Sequence, residues 1–204
     1  MKFVLLVEGS TERAALPRFL KRWLDERLPE PVGIRTERVA DPEDLATKAE
    51  NYIEARDAHK TIAVIGLLDL YGLKSIKRDG RSRDDYREHA RKIVCRRFDN
   101  PKFRMFFAVH ELEAWLLAQP ENLPPEIRRS LPASASNPED VDFDEPPSKM
   151  LKRLYREKLK RKYDKTIEGA ELFSRLDPSK ACARCPHLAA MLDEMLDLAQ
   201  GAVG

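Results

Sequence analysis

Three stretches of the chain are apolar with hardly a break, and each one stops at a carboxylate. Phe3-Val4-Leu5-Leu6-Val7 runs into Glu8-Gly9, Thr61-Ile62-Ala63-Val64-Ile65-Gly66-Leu67-Leu68 into Asp69, and Phe103 to Val109 into His110-Glu111-Leu112-Glu113. Short apolar runs rich in β-branched residues and bounded by turn signals read as strands buried on both faces, the kind found inside a parallel sheet. Between them the period changes to that of a helix. Ala15, Leu16, Phe19, Leu20, Trp23, Leu24 and Leu28 recur at helical spacing after Ser10, a plausible N-cap, with Glu12 in the first turn. Asp41-Pro42-Glu43 opens a second helix that presents Leu45, Ala49, Tyr52 and Ile53 and runs to about Arg56. Gly33 to Val39 alternates without a strong apolar face, which suits a sheet edge. A polar loop from Lys74 to Arg83 leads to a basic helix through Phe98, and Leu112, Trp115, Leu116 and Gln119 mark a helix after the third strong strand.

Strands alternating with helices predict an α/β fold with a mostly parallel sheet and right-handed crossovers, and that one crossover rule puts all three acid-bearing strand ends on the same edge. In open α/β sheets this edge is the crevice where ligands bind. The second half reads differently. Pro120 to Pro147 is rich in proline, serine and acid, and predicts a loop-rich surface excursion. Beyond it, Ser148 to Tyr163 places Leu151, Leu154, Tyr155, Leu159 and Tyr163 on one helical face, and Pro186 to Ala199 does the same with Leu188, Met191, Leu192, Met195 and Leu196. The expected division is residues 1–119 as the α/β core and residues 120–204 as the excursion and helical C-terminal region packed on it, within a single structural domain.

Charge adds direction to this picture. The chain has a net charge of only +2, but Lys74 to Arg104 carries twelve Lys or Arg against five Asp or Glu, and Lys149 to Lys165 nine against two. Two basic segments on a nearly neutral protein suit a polyanion such as nucleic acid. No window approaches a membrane span, and MKFVLLVEGS lacks the apolar stretch and cleavage site of a signal peptide. With an odd count of three cysteines, Cys95, Cys182 and Cys185, a cytoplasmic, reducing location is expected. Cys182-Ala183-Arg184-Cys185-Pro186-His187 lacks a second ligand pair for zinc, so Cys185 reads as a packing residue.

The candidate chemistry lies in the acids. Glu8, Asp69 and Glu111 can meet at the sheet edge, with Glu12 and Glu113 in the adjoining first helical turns, although Glu111 and Glu113 converge only if Glu111 still belongs to the strand end. Oxygen ligands without a Cys or His cage suit a hard cation, Mg²⁺ or Mn²⁺, and such ions act on phosphodiesters. Lys149 and Lys165 can stabilise charge on a phosphoryl oxygen, and His110 can orient a carboxylate. No Gly-rich phosphate loop is present, so the chain itself is not expected to hydrolyse ATP.

These motifs carry a resemblance. Val7-Glu8-Gly9-Ser10-Thr11-Glu12, Leu68-Asp69-Leu70-Tyr71-Gly72 and His110-Glu111-Leu112-Glu113-Ala114-Trp115 resemble the TOPRIM fold, the Rossmann-like metal-binding domain of topoisomerases, primases and OLD-type nucleases. More closely, the chain resembles the bacterial TOPRIM-like family 4276 of unknown function, through Asn137-Pro138-Glu139-Asp140-Val141-Asp142, Pro147-Ser148-Lys149, Lys165-Thr166 with Gly169, and Cys185-Pro186-His187. The resemblance implies a Mg²⁺-dependent phosphodiester or phosphoryl-transfer site, with Glu8 as general acid/base or metal ligand and Asp69 as the first aspartate of an Asp-x-Asp pair, and the expected activity is that of a nuclease or phosphodiester-processing protein on DNA or RNA. Tyr71 stands where that pair has its second aspartate, so Glu12, Glu111 and Glu113 are the candidates to complete the ligand set. It also implies an ABC-type or AAA-type ATPase partner in phage defence. Two alternatives stay open: a degenerate nucleic-acid-binding or regulatory subunit of such an ATPase, and a small-substrate phosphotransferase or phosphatase.

Overall fold

The computed structural model describes residues 1–70, 73, 79–96, 100–109, 111–141 and 145–203. Four strands, β1 (Lys2–Val7), β2 (Gly33–Arg38), β3 (Thr61–Asp69) and β4 (Phe103–Ala108), form one sheet in the order β2-β1-β3-β4. Every pairing is parallel, with Leu5 beside Thr36 on one side and Ile65 on the other. β1 and β3 are central and almost wholly buried, while β2 is a half-exposed edge, as the apolar patterns require.

Alternation along β1 feeds two cores. Phe3, Leu5 and Val7 point into the larger one, with α1 (Ser10–Asp25); Val4 and Leu6 point into the smaller, with α2 (Pro42–Glu54) and α3 (Arg83–Cys95). α2 begins as its sequence dictates, with the Asp41 carboxylate accepting from the amides of Glu43 and Asp44 at 2.9 Å and Pro42 in the first turn. α1 differs from expectation at its start, because Gly9 and not Ser10 holds the cap position and no side chain caps the helix. Pro17 lies inside α1 and cannot donate to the Arg13 carbonyl; the Thr36 hydroxyl of the edge strand donates to it instead, at 3.0 Å.

The second half is less of a surface excursion than its composition predicts. After α4 (Glu113–Leu117) and α5 (Pro125–Arg128), residues 120–141 run through short 3₁₀ turns, yet Leu123, Ile127, Ala135 and Val141 are buried in the same core as β1. α6 (Pro147–Leu159) stops before Tyr163 because Lys160 turns left-handed (φ 54°). A single π-helical turn, Lys165–Gly169, then leads into α7 (Ala170–Arg175), α8 (Pro178–Cys182) and α9 (Pro186–Val203). Trp115 of α4 stacks on Phe19 of α1 at 6.1 Å, and Phe173 of α7 meets both rings edge-on. Among the described residues no helix is long and apolar enough to cross a membrane.

Candidate active site

Three neighbouring parallel strands deliver acids to one edge. Val7 pairs with Leu67, so Glu8 leaves β1 beside the end of β3, where Asp69 is the last strand residue and pairs with Ala108 of β4. Arg38, at the end of β2, donates from Nε to the Glu8 carbonyl at 2.9 Å and fixes that backbone. Glu12 comes from the first turn of α1 and folds back over Gly9. A Cβ at position 9 would lie 1.7 Å from Glu12 Oε2, so the carboxylate can sit there only because that residue has no side chain. Glu113 begins α4 and is 1% exposed; Glu12 is 5% exposed.

Into this group reaches Lys165, from the π-helical turn. Its ammonium lies 3.1 Å from Glu113 Oε2, 3.4 Å from Glu12 Oε1 and 3.9 Å from Asp69 Oδ2. The turn is built for its place. The Asp164 carboxylate accepts from the amides of Thr166 and Ile167, and Gly169 passes so near that a Cβ there would lie 3.0 Å from the Tyr163 hydroxyl. From behind, Arg22 of α1 donates to the carbonyls of Phe173, Ser174 and Leu176, which holds the C-terminal end of α7. Single π-helical turns recur at functional sites.

The electrostatics are unbalanced. Glu8, Glu12, Asp69 and Glu113 crowd together against one ammonium. Burial, and then Glu12, push the Glu8 carboxyl above the usual glutamate range, against the pull of Lys165. Burial raises Asp69 well above the ordinary aspartate value; Lys165 opposes this, while Glu12, Glu113 and Glu111 reinforce it. Glu113 is raised by burial as well. Burial alone would lower Lys165, but Glu113, Asp69 and Glu12 outweigh it and hold the ammonium above the lysine range. Within the cluster, Glu12 Oε2 has no hydrogen bond, and the contact of Glu113 Oε2 is the 3.1 Å ion pair with Lys165. Buried acceptors without donors are costly, and they are uncommon in folded proteins.

Glu111 is near this group but otherwise engaged. Its two oxygens accept from the amide and the hydroxyl of Ser148, each at 2.9 Å, so that it caps the start of α6. β4 stops at Ala108, so Glu111 does not belong to the strand end, the condition set for its convergence with Glu113; it lies in the connection before α4 and turns to Ser148. Lys149 is exposed on α6 next to Ser148. His110 and Tyr71 lie outside the described residues. Among the described residues no three His, Cys, Asp or Glu are grouped so that they could hold a metal ion as they stand.

The profile of a family described as "Domain of unknown function (DUF4276)" matches residues 7–196, a span that includes every residue of this cluster from Glu8 to Lys165. The chain belongs to the DUF4276 family. No curated protein matches this DUF4276 chain. Among solved structures, the C-terminal region of the Xanthomonas campestris pv. campestris OLD protein is similar at a TM-score of 0.45 and 18% identity, over 98% of this chain and 95% of that one.

Of the residues singled out from sequence in the DUF4276 chain, Glu12, Asp69, Glu113 and Lys165 are in direct ionic contact, and Glu8 feels both Glu12 and Lys165. Sequence reasoning missed the parts that position them: Arg38, Arg22, Asp164 and the small residue at 9 as a seat for Glu12. A helix-start glycine three residues before a glutamate was the one available signal; the others act across long sequence separations.

The surface charge also divides. On α3, Arg87, Arg91 and Lys92 pair with Asp84 or Glu88 on the same helix. On α6 and just after it, Lys152, Arg156, Lys158, Lys160 and Lys162 are exposed and form no salt bridge among the described residues. Lys149, Lys152 and Arg156 follow one another at the spacing of a single helix face, starting beside the residue that holds Glu111.

Proposed function

We propose that this DUF4276 protein carries a TOPRIM-type site that cleaves phosphodiester bonds in DNA or RNA with a bound Mg²⁺ or Mn²⁺. One observation carries the reading: carboxylates from a strand end, Asp69, and two helix starts, Glu12 and Glu113, gather around a single ammonium with Glu8 close by, and the buried Glu12 Oε2 has no hydrogen-bond donor. A donor set made only of oxygens fits a hard divalent ion, and Glu12, Asp69 and Glu113, with Glu8 and Glu111 at the margin, are the residues that would hold it. When bound, the ion would polarise the phosphoryl oxygen and acidify an attacking water.

The chain's own residues supply the rest. The Glu8 carboxyl, held above the usual glutamate range by burial and by Glu12, is suited to take a proton from water and return it to the leaving oxygen. Lys165, whose side chain is 30% exposed, would neutralise charge developing on the phosphoryl group from the solvent side of the carboxylates. The exposed basic face of α6 runs away from the site by about 1.5 Å per residue and would hold successive phosphates of a polymer, which favours a nucleic acid over a mononucleotide.

The test is cleavage of circular DNA, linear DNA and a structured RNA in Mg²⁺ or Mn²⁺. Activity should disappear with EDTA and fall by about 10²-fold or more in Glu8→Ala and Asp69→Ala. Equal cleavage by the parent and these variants overturns the assignment. A second reading, as a subunit regulating an ABC-type or AAA-type ATPase, draws support from Tyr71 in place of a second aspartate. Nucleic-acid binding without turnover, alone and beside the ATPase, is the result that selects it; preferential turnover of a mononucleotide would instead select a phosphotransferase or phosphatase.

A further inference from the structure

We propose that Lys165 is a placeholder cation: its ammonium keeps Glu12, Asp69 and Glu113 together while no metal is bound, and a divalent ion entering the cluster expels it toward solvent. This rests on the metal-dependent reading of the site and adds a rearrangement to it.

The distances set up a conflict. The ammonium is within 3.9 Å of an oxygen from each of the three carboxylates, the central position that an ion bridging them would need. As arranged, these carboxylates and their described neighbours do not form a group able to hold a metal. An ammonium and a divalent cation confined to one buried cluster repel strongly, because little water is present to screen them. Either the metal stays out or the lysine leaves.

The surroundings permit the lysine to leave. Its side chain is 30% exposed, so a path to solvent exists. The turn that carries it is π-helical, and Ile167 within that turn is 69% exposed, so no core packing holds its outer side. Gly169 closes the turn against Tyr163 and Thr11, and Asp164 opens it through two amide hydrogen bonds. These ends can stay in place while the residues between them shift from a π-helical to an α-helical turn, which alters the direction of Lys165. After the ion binds, Glu12 Oε2, which has no donor while the lysine contacts only Oε1, would have a cation to face.

The first measurement uses the native chain, so it does not depend on a variant folding. Amine-selective acylation, read residue by residue by mass spectrometry, should label Lys165 slowly in EDTA and severalfold faster in saturating Mn²⁺, with exposed Lys160 and Lys162 as internal references. Labelling of Lys165 that does not rise when Mn²⁺ binds overturns the proposal. In the second measurement, calorimetric titration with Mn²⁺, Lys165→Gln should bind on the order of tenfold more tightly than the parent, because the competing cation is gone. Equal affinities overturn the placeholder and leave the metal site standing. Absence of Mn²⁺ binding in both proteins overturns the placeholder and the metal reading together. Faster labelling and tighter binding in a protein that cleaves no nucleic acid uphold the placeholder and retire the nuclease reading.

Discussion

Glu139 and Glu113 are almost equally hidden, at 3% and 1% exposure, yet the chain surrounds them in opposite ways. Glu139 accepts from the amides of His187 and Leu188, at 2.8 and 3.3 Å, and so satisfies the open first turn of α9. Glu113 faces one ammonium that it shares with Glu12 and Asp69, 3.1 Å from its Oε2. Backbone amides at a helix start are fixed donors that cannot leave without unfolding the turn. A lysine on a loop-like turn is a removable one. A buried acid with permanent donors is part of the architecture, whereas a buried acid with a removable partner can take on a ligand.

The largest effects should come from crossing these two residues. Glu139→Ala removes two charge-assisted hydrogen bonds and leaves two helix-start amides unserved, for an expected loss of about 3 kcal/mol in denaturant unfolding. Glu113→Gln keeps the shape and relieves like-charge crowding, so metal-free stability should change by less than about 1 kcal/mol while metal-dependent cleavage falls about 10²-fold. Equal losses of stability in both variants would erase the distinction drawn here.

Arg22 tests the architecture one step further from the cluster. Arg22→Met frees the three carbonyls that end α7, with an expected cost of about 2 kcal/mol, and should loosen the turn that presents Lys165. Hydrogen exchange that accelerates across residues 165–175 and nowhere in α9 is the expected pattern; uniform acceleration would mean that Arg22 supports the fold at large. Gly9→Ala acts on the other partner. The added methyl must displace the end of the Glu12 side chain, a flexible group, so stability should change by less than about 1 kcal/mol while metal affinity falls about tenfold. Unchanged affinity would remove Glu12 from the ligand set.

The sheet and its acid-bearing edge were legible because they depend on short-range pattern. Short apolar runs rich in β-branched residues and closed by turn residues read as central strands, and parallel crossovers then fix which ends share an edge, so Glu8 and Asp69 could be placed together from sequence. The second half was read less well for an equally physical reason. Residues 120–141 bury single apolar side chains such as Leu123 and Ile127 from irregular turns, which leave no period to detect. The basic run from Lys149 to Lys165 looked uniform in sequence, yet Lys165 alone turns inward to Glu12, Asp69 and Glu113, because the helix breaks at Lys160 and a π-helical turn follows. A lysine in the left-handed region is not a break that composition announces.

The smallest effect should be seen in the pH dependence of folding, and it separates acids like those of the cluster from acids with settled partners. Glu8, Asp69 and Glu113 have folded-state values above their unfolded ones, so in the window between the two the folded chain binds more protons, and metal-free stability rises as pH falls toward about 4. Asp44, held low by the Ala40 amide and Lys48, and Glu145, held low by Arg153, behave in the opposite sense: their stabilisation is complete above the unfolded value and is lost only as pH falls through the depressed one. The contribution of Lys165, raised above the lysine range, is complete below about pH 10.5 and therefore constant in this window. Thermal melts in EDTA from about pH 8 to 5 should thus rise more steeply with acid for the parent than for Glu113→Gln, by a few degrees. Mg²⁺, which needs the carboxylates ionised, should protect most at the alkaline end and least at the acid end. Parallel melting curves for parent and variant would show that Glu113 titrates like an ordinary surface acid, and the contrast with Glu139 would then rest on geometry alone.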